Sequence, residues 1–264
     1  MSEKARAAAK LLVESHEARR RFEALPADLA PATPEDAYAI QDAFVAMRAE
    51  KLGGITGYKI ALSSPEMQKF VGVDRPQAGC IHESTVLKTP AAVAAADYVR
   101  LIIEFEIAVQ MGDDLPAADA PFTRERVARA VSAVMPALEI ADDRDADYKL
   151  LPRHPLHMIA DNCWNAGAVL GEPVKEWKEM NIPVARGFAA INGQVVGEGK
   201  AGDCMGHPFD AVAWIADHLA KHGRGLLRGD FVITGSIVTT KTVKAGDWVV
   251  FAVEGLGSVE LRVN

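Results

Sequence analysis

The chain carries only three cysteines, Cys80, Cys163 and Cys204, far apart and with no Cys-x-x-Cys pair. A zinc site and a disulfide framework are therefore not expected. Reduced thiols in a cytoplasmic compartment are the simplest reading. No Lys/Arg-rich block is present, and 29 basic against 36 acidic residues leave a net charge of −7. Nucleic acid is not an expected partner. A small anionic substrate remains open, provided a local cation receives it. The stretch from Ser2 to Arg21 is alanine-rich and charged throughout, without the apolar core of a signal peptide. No run reaches the ~20 apolar residues of a membrane span. Glycines such as Gly197 and Gly199 lack the spacing of a dinucleotide or phosphate loop. No internal repeat and no low-complexity linker divides the chain.

What remains is an ordinary globular composition: 264 residues, 49% hydrophobic and 25% charged. That length can bury a full core in one large domain or two small ones. A helix is expected over residues 3–22. Thr33-Pro34-Glu35-Asp36 opens a second helix, with a capping Thr, Pro at the first position and acids in the first turn. It should run to about Leu52 and stop at Gly53-Gly54. Tyr58–Leu62 reads as a strand, and Ser64-Pro65-Glu66 starts a short helix ending near Gly72. Short strands follow near Cys80–His82 and Ser84–Leu87. A long one spans Tyr98–Met111. Thr123 caps a helix expected to run to about Val134, where Pro136 breaks it, and Ala137–Ile140 reads as strand. Asp142–Pro155 is polar and reads as a loop. Asn192-Gly193 between two apolar runs marks a hairpin. His207-Pro208 precedes a helix to Lys221, and strands at Phe231–Thr234, Trp248–Val253 and Ser258–Val263 close the chain. The expected fold class is α+β. A mostly helical N-terminal layer (1–80) sits on a strand-rich body (81–264) in one continuous unit.

The chemistry concentrates in Leu101-Ile102-Ile103-Glu104-Phe105-Glu106-Ile107-Ala108-Val109. Side chains alternate along a strand, so Leu101, Ile103, Phe105, Ile107 and Val109 share one face. Glu104 and Glu106 share the other, roughly 7 Å apart along the axis. A pair of carboxylates this close suits a hard divalent cation. It equally suits an amphipathic strand with two solvated acids. Glu139 lies in the apolar segment Met135–Ile140, where a lone acid is expensive to bury unless paired or metal-bound. Its alternatives are a metal ligand or an ion pair with an arginine such as Arg144. Lys59, between apolar neighbours, could clamp a substrate carboxylate or give up a proton, or snorkel to water. His207 reads as structural, at a helix start. His154 and His157 beside the acidic loop are weak ligand candidates, and Cys163 is a packing residue with no adjacent base.

Seven segments in order resemble one known group. They are Gly57-Tyr58-Lys59-Ile60-Ala61-Leu62-Ser63-Ser64, Glu104-Phe105-Glu106-Ile107-Ala108, Pro136-Ala137-Leu138-Glu139-Ile140, Ala160-Asp161-Asn162 with Gly167–Gly171, Gly206-His207-Pro208, Ala213-Trp214 and Thr234-Gly235-Ser236. Together they resemble the 2-keto-4-pentenoate hydratase / 4-oxalocrotonate decarboxylase group of the fumarylacetoacetate hydrolase superfamily, from about residue 35 to the end. The resemblance implies a mixed β-roll with peripheral helices, in a homo-oligomer that can associate with a related catabolic enzyme. It implies Mg2+ or Mn2+ on Glu104, Glu106 and Glu139, with Lys59 as acid/base or charge partner. It places Leu62, Gln77, Trp164 and Ser236 at a small 2-oxo acid substrate. Two positions depart from the group's pattern. Gln77 stands where an Asp is usual and cannot exchange a proton at neutral pH. Cys163-Trp164-Asn165 replaces Ala-Ser-Ser, with far more bulk at Trp164.

The expected activity is hydration of a 2-hydroxy-2,4-dienoate or 2-oxo-4-enoate to a 4-hydroxy-2-oxo acid, in aromatic meta-cleavage catabolism. Decarboxylation of a 4-oxalocrotonate-type diacid is the second reading, and acylpyruvate-type C–C hydrolysis the third. Outside catalysis, the chain could be a silent partner subunit or a metal-free binding protein. Retention of all three acids and Lys59 argues against silence.

Overall fold

The computed structural model describes residues 2–264. Helix α1 (Glu3–Glu17) is capped by Ser2, whose hydroxyl accepts from Ala5 N–H. It buries Ala5, Ala8, Ala9 and Leu12, the i, i+3, i+4, i+7 stripe of a one-sided helix. Helix α2 (Pro34–Leu52) starts at Thr33 and ends at Gly53, whose φ of 78° a side chain would resist. Then come β1 (Ile55–Ala61), α3 (Pro65–Val71), β2 (Gln77–His82), β3 (Val86–Lys88), β4 (Ala91–Val93) and β5 (Leu101–Met111). Helix α4 (Arg124–Ala130) leads directly into β6 (Val131–Asp142), and α5 (Pro155–Ala160) into β7 (Asn165–Leu170). The remainder is β8 (Arg186–Ile191), β9 (Gln194–Lys200), α6 (Pro208–Lys221), β10 (Phe231–Ile233), β11 (Val238–Thr242), β12 (Trp248–Val253) and β13 (Gly257–Val263).

Two sheets result. The larger runs β2-β1-β10-β5-β6-β7-β3, with β11 also on β5, and the smaller runs β4-β13-β12-β8-β9. Ile103, Phe105, Ile107 and Val109 of β5 join Val249, Phe251, Val259 and Leu261 of the small sheet in one core that also reaches α1 and α2. The rings of Phe105 and Phe251 lie 5.6 Å apart. Each fully buried side chain of this size stabilises the fold by about 1.5–3 kcal/mol. The opposite face of β5 carries Glu104 and Glu106 and then Ala108, which packs with Ala133, Met135 and Phe231 in a separate small cluster. This is the mixed α/β architecture expected, with the strand faces divided as the alternation requires.

Several boundaries differ. Helix α1 stops at Glu17, and Arg19 turns the chain at φ 47°. Residues 18–22 leave the helix so that Phe22 N–H can donate to Arg144 C=O at 2.7 Å. Helix α4 ends at Ala130, four residues before the expected stop, because Val131–Val134 are already paired with β5. Pro136 lies inside β6 rather than before it. Its C=O accepts from Gly171 N–H, so its missing N–H points to the same side, past the last β6–β7 pair at Ala137–Leu170. The helical layer is α1 and α2 alone. Strands β1 and β2, which a division at residue 80 would assign to it, are full members of the large sheet.

Candidate active site

Register assembles the site. In the β5–β6 hairpin Glu104 stands directly opposite Glu139, and Glu106 is one side-chain repeat along on the same face. The three carboxylates each place an oxygen within 4.8 Å of the others. Glu106 and Glu139 are fully buried and Glu104 is half-buried. Lys59 on β1 reaches the same point, its Nζ 3.1 Å from Glu139 Oε2 but out of line for a hydrogen bond. Strands β1 and β6 are three positions apart in the sheet, about 14 Å if it were flat. Only a sheet curled toward this face lets the two side chains meet. Gly79, the β2 neighbour of Lys59, makes room: a Cβ there would sit 2.9 Å from Lys59 Cγ and 2.9 Å from Asn162 C=O.

The far edge of β5 explains the Thr-Gly-Ser segment. Strand β10 pairs with residues 108–110 and β11 with residues 102–105. Thr234-Gly235-Ser236 bridges the two beside Glu106. Gly235, at φ 101°, donates its N–H to Glu106 Oε2 at 2.7 Å. Ser236 Oγ accepts from Phe105 N–H at 2.9 Å and donates to Val238 C=O at 2.7 Å. Asn165 Nδ2 donates to Glu139 Oε1 at 2.9 Å. Glu106 Oε1 is buried without a hydrogen-bond donor, and Glu139 Oε2 has only the Lys59 ammonium 3.1 Å away. A buried oxygen without a donor and a second held only by an ammonium, grouped with a third carboxylate, fit a hard divalent cation.

The electrostatics agree. Burial, then Glu139 and Glu104, push Glu106 well above the usual carboxylate range. Burial pushes Glu139 up to about 7, opposed by Lys59 and Asn165 and reinforced by Glu104. Burial disfavours the Lys59 ammonium, but Glu139, Glu104, Cys163 and Glu106 together outweigh it, and its pKa lies above the ordinary value. A carboxyl whose folded pKa is raised stabilises the fold below its unfolded value near 4.5. That contribution is lost as pH rises through about 7. A bound cation needs the deprotonated form. Magnesium affinity should therefore weaken on going from about pH 8 to about pH 6, with net proton release on binding. Calorimetric titrations in buffers of different ionisation enthalpy check both.

Lys59 and Glu104 line a cavity of about 380 Å3, within the ~300–1,000 Å3 range of small-molecule sites, and the buried Glu106 and Glu139 are grouped with Glu104. Lys59, Leu62, Glu104, Trp164 and Ser236 all line it. Gln77 does not: it is buried beneath α5, where Nε2 donates to Pro155 C=O at 3.4 Å. No histidine lines the cavity among the described residues. His207 instead caps α6, its Nδ1 accepting from Phe209 N–H at 3.0 Å. His154 and His157 pack edge-to-face on each other. Burial pushes the Cys163 thiol up to about 12, which keeps it protonated.

The sequence reading missed most of the wall. Asn162, Cys163 and Trp164 are three consecutive residues at positive φ, between 50° and 60°, a costly run for such side chains. Asn162 secures it by exchanging two 2.8 Å hydrogen bonds with the Cys80 backbone. Asp161, next to it, is held by His16 at 2.6 Å and Arg144 at 2.5 Å. Burial alone would raise the Asp161 pKa, but the hydrogen bonds and charge supplied by His16 and Arg144 keep it below the ordinary value. Trp164 then stands between Phe22, edge-on at 5.6 Å, and Tyr148, stacked at 6.1 Å. Tyr148 donates to Asp143 at 2.8 Å, and Arg100 Nε donates to the other Asp143 oxygen at 2.7 Å. Residues 143–148 are the loop expected, and these contacts pin it as a flank of the cavity through Asp143 and Tyr148. The density of aspartates there was the only available signal.

The sequence profile of the fumarylacetoacetate (FAA) hydrolase C-terminal family matches residues 52–264. The chain belongs to the fumarylacetoacetate hydrolase family. Among curated relatives of this family member, a 2-keto-4-pentenoate hydratase of Burkholderia vietnamiensis is 31% identical over 223 residues, 84% of this chain and 83% of the relative. A 2-oxo-hept-4-ene-1,7-dioate hydratase of Escherichia coli is 28% identical over 259 residues, 96% of each chain. The solved 4-oxalocrotonate decarboxylase of Pseudomonas putida G7, complexed with magnesium and adipate, superposes with a TM-score of 0.91. It is 26% identical, over 100% of this chain and 98% of that one. Among the described residues no helix is long and apolar enough to cross a membrane.

Proposed function

We propose that this protein is a divalent-metal-dependent lyase that adds water to a 2-hydroxy-2,4-dienoate or its 2-oxo-enoate form, giving a 4-hydroxy-2-oxo acid. The observation that carries the reading is the Glu104–Glu106–Glu139 cluster, with Glu106 and Glu139 buried and Glu104 lining the cavity, beside the ammonium of Lys59. Magnesium or manganese suits the all-oxygen donor set. When bound, such an ion supplies a Lewis acid that polarises the 2-oxo group of a chelating substrate.

The chain's own residues do the rest. Lys59 Nζ sits at the edge of the carboxylate cluster, where it can balance the charge of a substrate carboxylate and hold or donate a proton. Protonation at C5 of the dienol, balanced by loss of the 2-hydroxyl proton, moves the remaining double bond into conjugation with the 2-oxo group. Water then adds at C4, and the proton it releases balances the one taken up at C3. The wall of Trp164, Leu62 and Met158 excludes bulk water and orients the chain of the substrate. Asp143 also faces the cavity, but Arg100, Tyr148 and Asp145 N–H already occupy its oxygens, so it holds the wall rather than activating water.

Hydration is favoured because the hydratases named above align over most of their length at about 30% identity. Decarboxylation is the second reading, supported by the close superposition on the decarboxylase. C–C hydrolysis ranks third, because no histidine in the cavity positions a water. Incubation of 2-hydroxypenta-2,4-dienoate with the protein and Mg2+ should give 4-hydroxy-2-oxopentanoate by proton NMR, and excess EDTA should stop it. Metal-independent conversion, or none with Mg2+, would sink the hydratase reading.

A further inference from the structure

We propose that this cavity selects 2-oxo acids whose far end is uncharged and apolar, an alkyl or aryl group, over those ending in a second carboxylate. The proposal rests on the metal-dependent 2-oxo acid reading above and adds the identity of the substrate's other end.

Three observations carry it. First, Lys59 is the one cation lining the cavity among the described residues, and it lies at the floor against Glu139. Two further acids, Asp143 and Asp203, face the same space. The nearby Arg100 is turned away, held by Asp143, Asp145 and the Ala146 carbonyl. A distal carboxylate would therefore lose water without gaining a counter-charge, next to charges of its own sign. Second, the serine hydroxyls of the wall are engaged locally, and the exposed Thr239 and Thr240 bring no charge to meet a distal carboxylate. Ser64 Oγ caps α3 by accepting from Met67 N–H, and Ser63 Oγ donates to Cys204 Sγ. Third, the rim itself is apolar. Met67 and Phe70 on α3 are 46% and 48% exposed yet line the cavity, so they stand at its mouth, while the buried Lys59 lines its inner end. Val71, Leu151 and Met158 continue the apolar surface between them. Large exposed apolar side chains at a cavity mouth mark a place where apolar surface is to be covered.

The test uses saturated 2-oxo acids, which cannot be hydrated, as probes for calorimetric titration into the magnesium-loaded protein. With 2-oxohexanoate and 2-oxohexanedioate, equal in chain length, the monoacid should bind at least about tenfold tighter. Lengthening it to 2-oxooctanoate should tighten binding by about fourfold per added methylene. Met67→Arg puts a cation at an exposed rim position, so the fold should persist, as an unchanged magnesium titration would show. In that variant the preference should fall or invert toward the diacid. Equal or tighter binding of the diacid by the natural protein would overturn the proposal, as would an unchanged ratio in Met67→Arg. Failure of both acids to bind in a magnesium-dependent way would overturn the underlying 2-oxo acid reading, and this proposal with it. That outcome is told apart because neither acid then binds, whereas failure of the proposal alone leaves the diacid bound.

Discussion

Glu106→Gln should abolish magnesium binding and lower turnover by on the order of a thousandfold or more. The several kcal/mol that a Lewis acid contributes to charge stabilisation convert to that range. The substitution changes little else in the packing. Gln has the same shape, and its Oε1 can still accept the 2.7 Å hydrogen bond from Gly235 N–H. What it loses is one of three closely grouped negative charges and the orphan oxygen beside them. In its place an amide NH2 points its positive end at the cation position. The metal-free fold should respond in the opposite direction. Burial and two neighbouring carboxylates raise the Glu106 pKa, so in the metal-free protein its ionisation opposes folding as pH rises. At about pH 8 metal-free Glu106→Gln should therefore melt no lower than the metal-free natural protein. The natural protein should gain about 2.7 kcal/mol from magnesium at a hundredfold excess over Kd, and the variant nothing. Thermal melts with and without Mg2+ separate the two effects. A variant that still gains stability from magnesium would remove Glu106 from the metal site.

The chemistry of this site was legible where a single strand carries it. Alternation alone put Glu104 and Glu106 on one face and the apolar residues of β5 on the other, and the structure keeps that division. The third carboxylate was legible as a residue but not as a neighbour. Its place opposite Glu104 depends on the hairpin register, and that register begins at Val131, inside a stretch whose Thr123 cap and charged residues read as continuing helix. Pro136 reinforced the misreading, because proline ends strands unless its absent N–H falls beyond the partner strand, as it does here. Strand β11 escaped notice for another reason. Four of its five residues are threonines or lysine left exposed or half-exposed, so it shows no clean alternation.

The wall of the cavity was the least legible part. Arg100 meets Asp143 and Asp145 across 43 and 45 residues of chain, and His16 meets Asp161 across 145. No local pattern encodes such pairings. The run Asn162-Cys163-Trp164 has no turn signature strong enough to announce three left-handed residues. Tertiary contacts override local preference here: the Asn162 amide takes the place of a strand partner for Cys80 and holds the run in place. The bulk at Trp164 was evident in the sequence. Its stacking between Phe22 and Tyr148 required the fold.

Lys59→Met should separate metal binding from turnover. Lys59 is 2% exposed and lies against Glu139. Methionine replaces its stem with a chain of similar length and no charge, so the space beside Gly79 stays filled. With all groups ionised, three carboxylates and one ammonium carry −3 + 1 = −2, and the variant carries −3. Magnesium should bind the variant more tightly, because a cation at the centre of the cluster no longer competes with a fixed positive charge. Turnover should nonetheless fall by roughly 10²–10⁴-fold, the range typical of losing a positioned acid or base. If Lys59 serves chiefly to receive the substrate carboxylate, the loss falls mainly on KM. If it moves the proton, the loss falls on kcat and the alkaline limb of the pH–rate profile changes with it. A merely structural lysine would do neither, and its removal would lower magnesium affinity and thermal stability together. Tighter magnesium binding alongside slower turnover is thus the outcome that assigns Lys59 to the chemistry rather than to the scaffold.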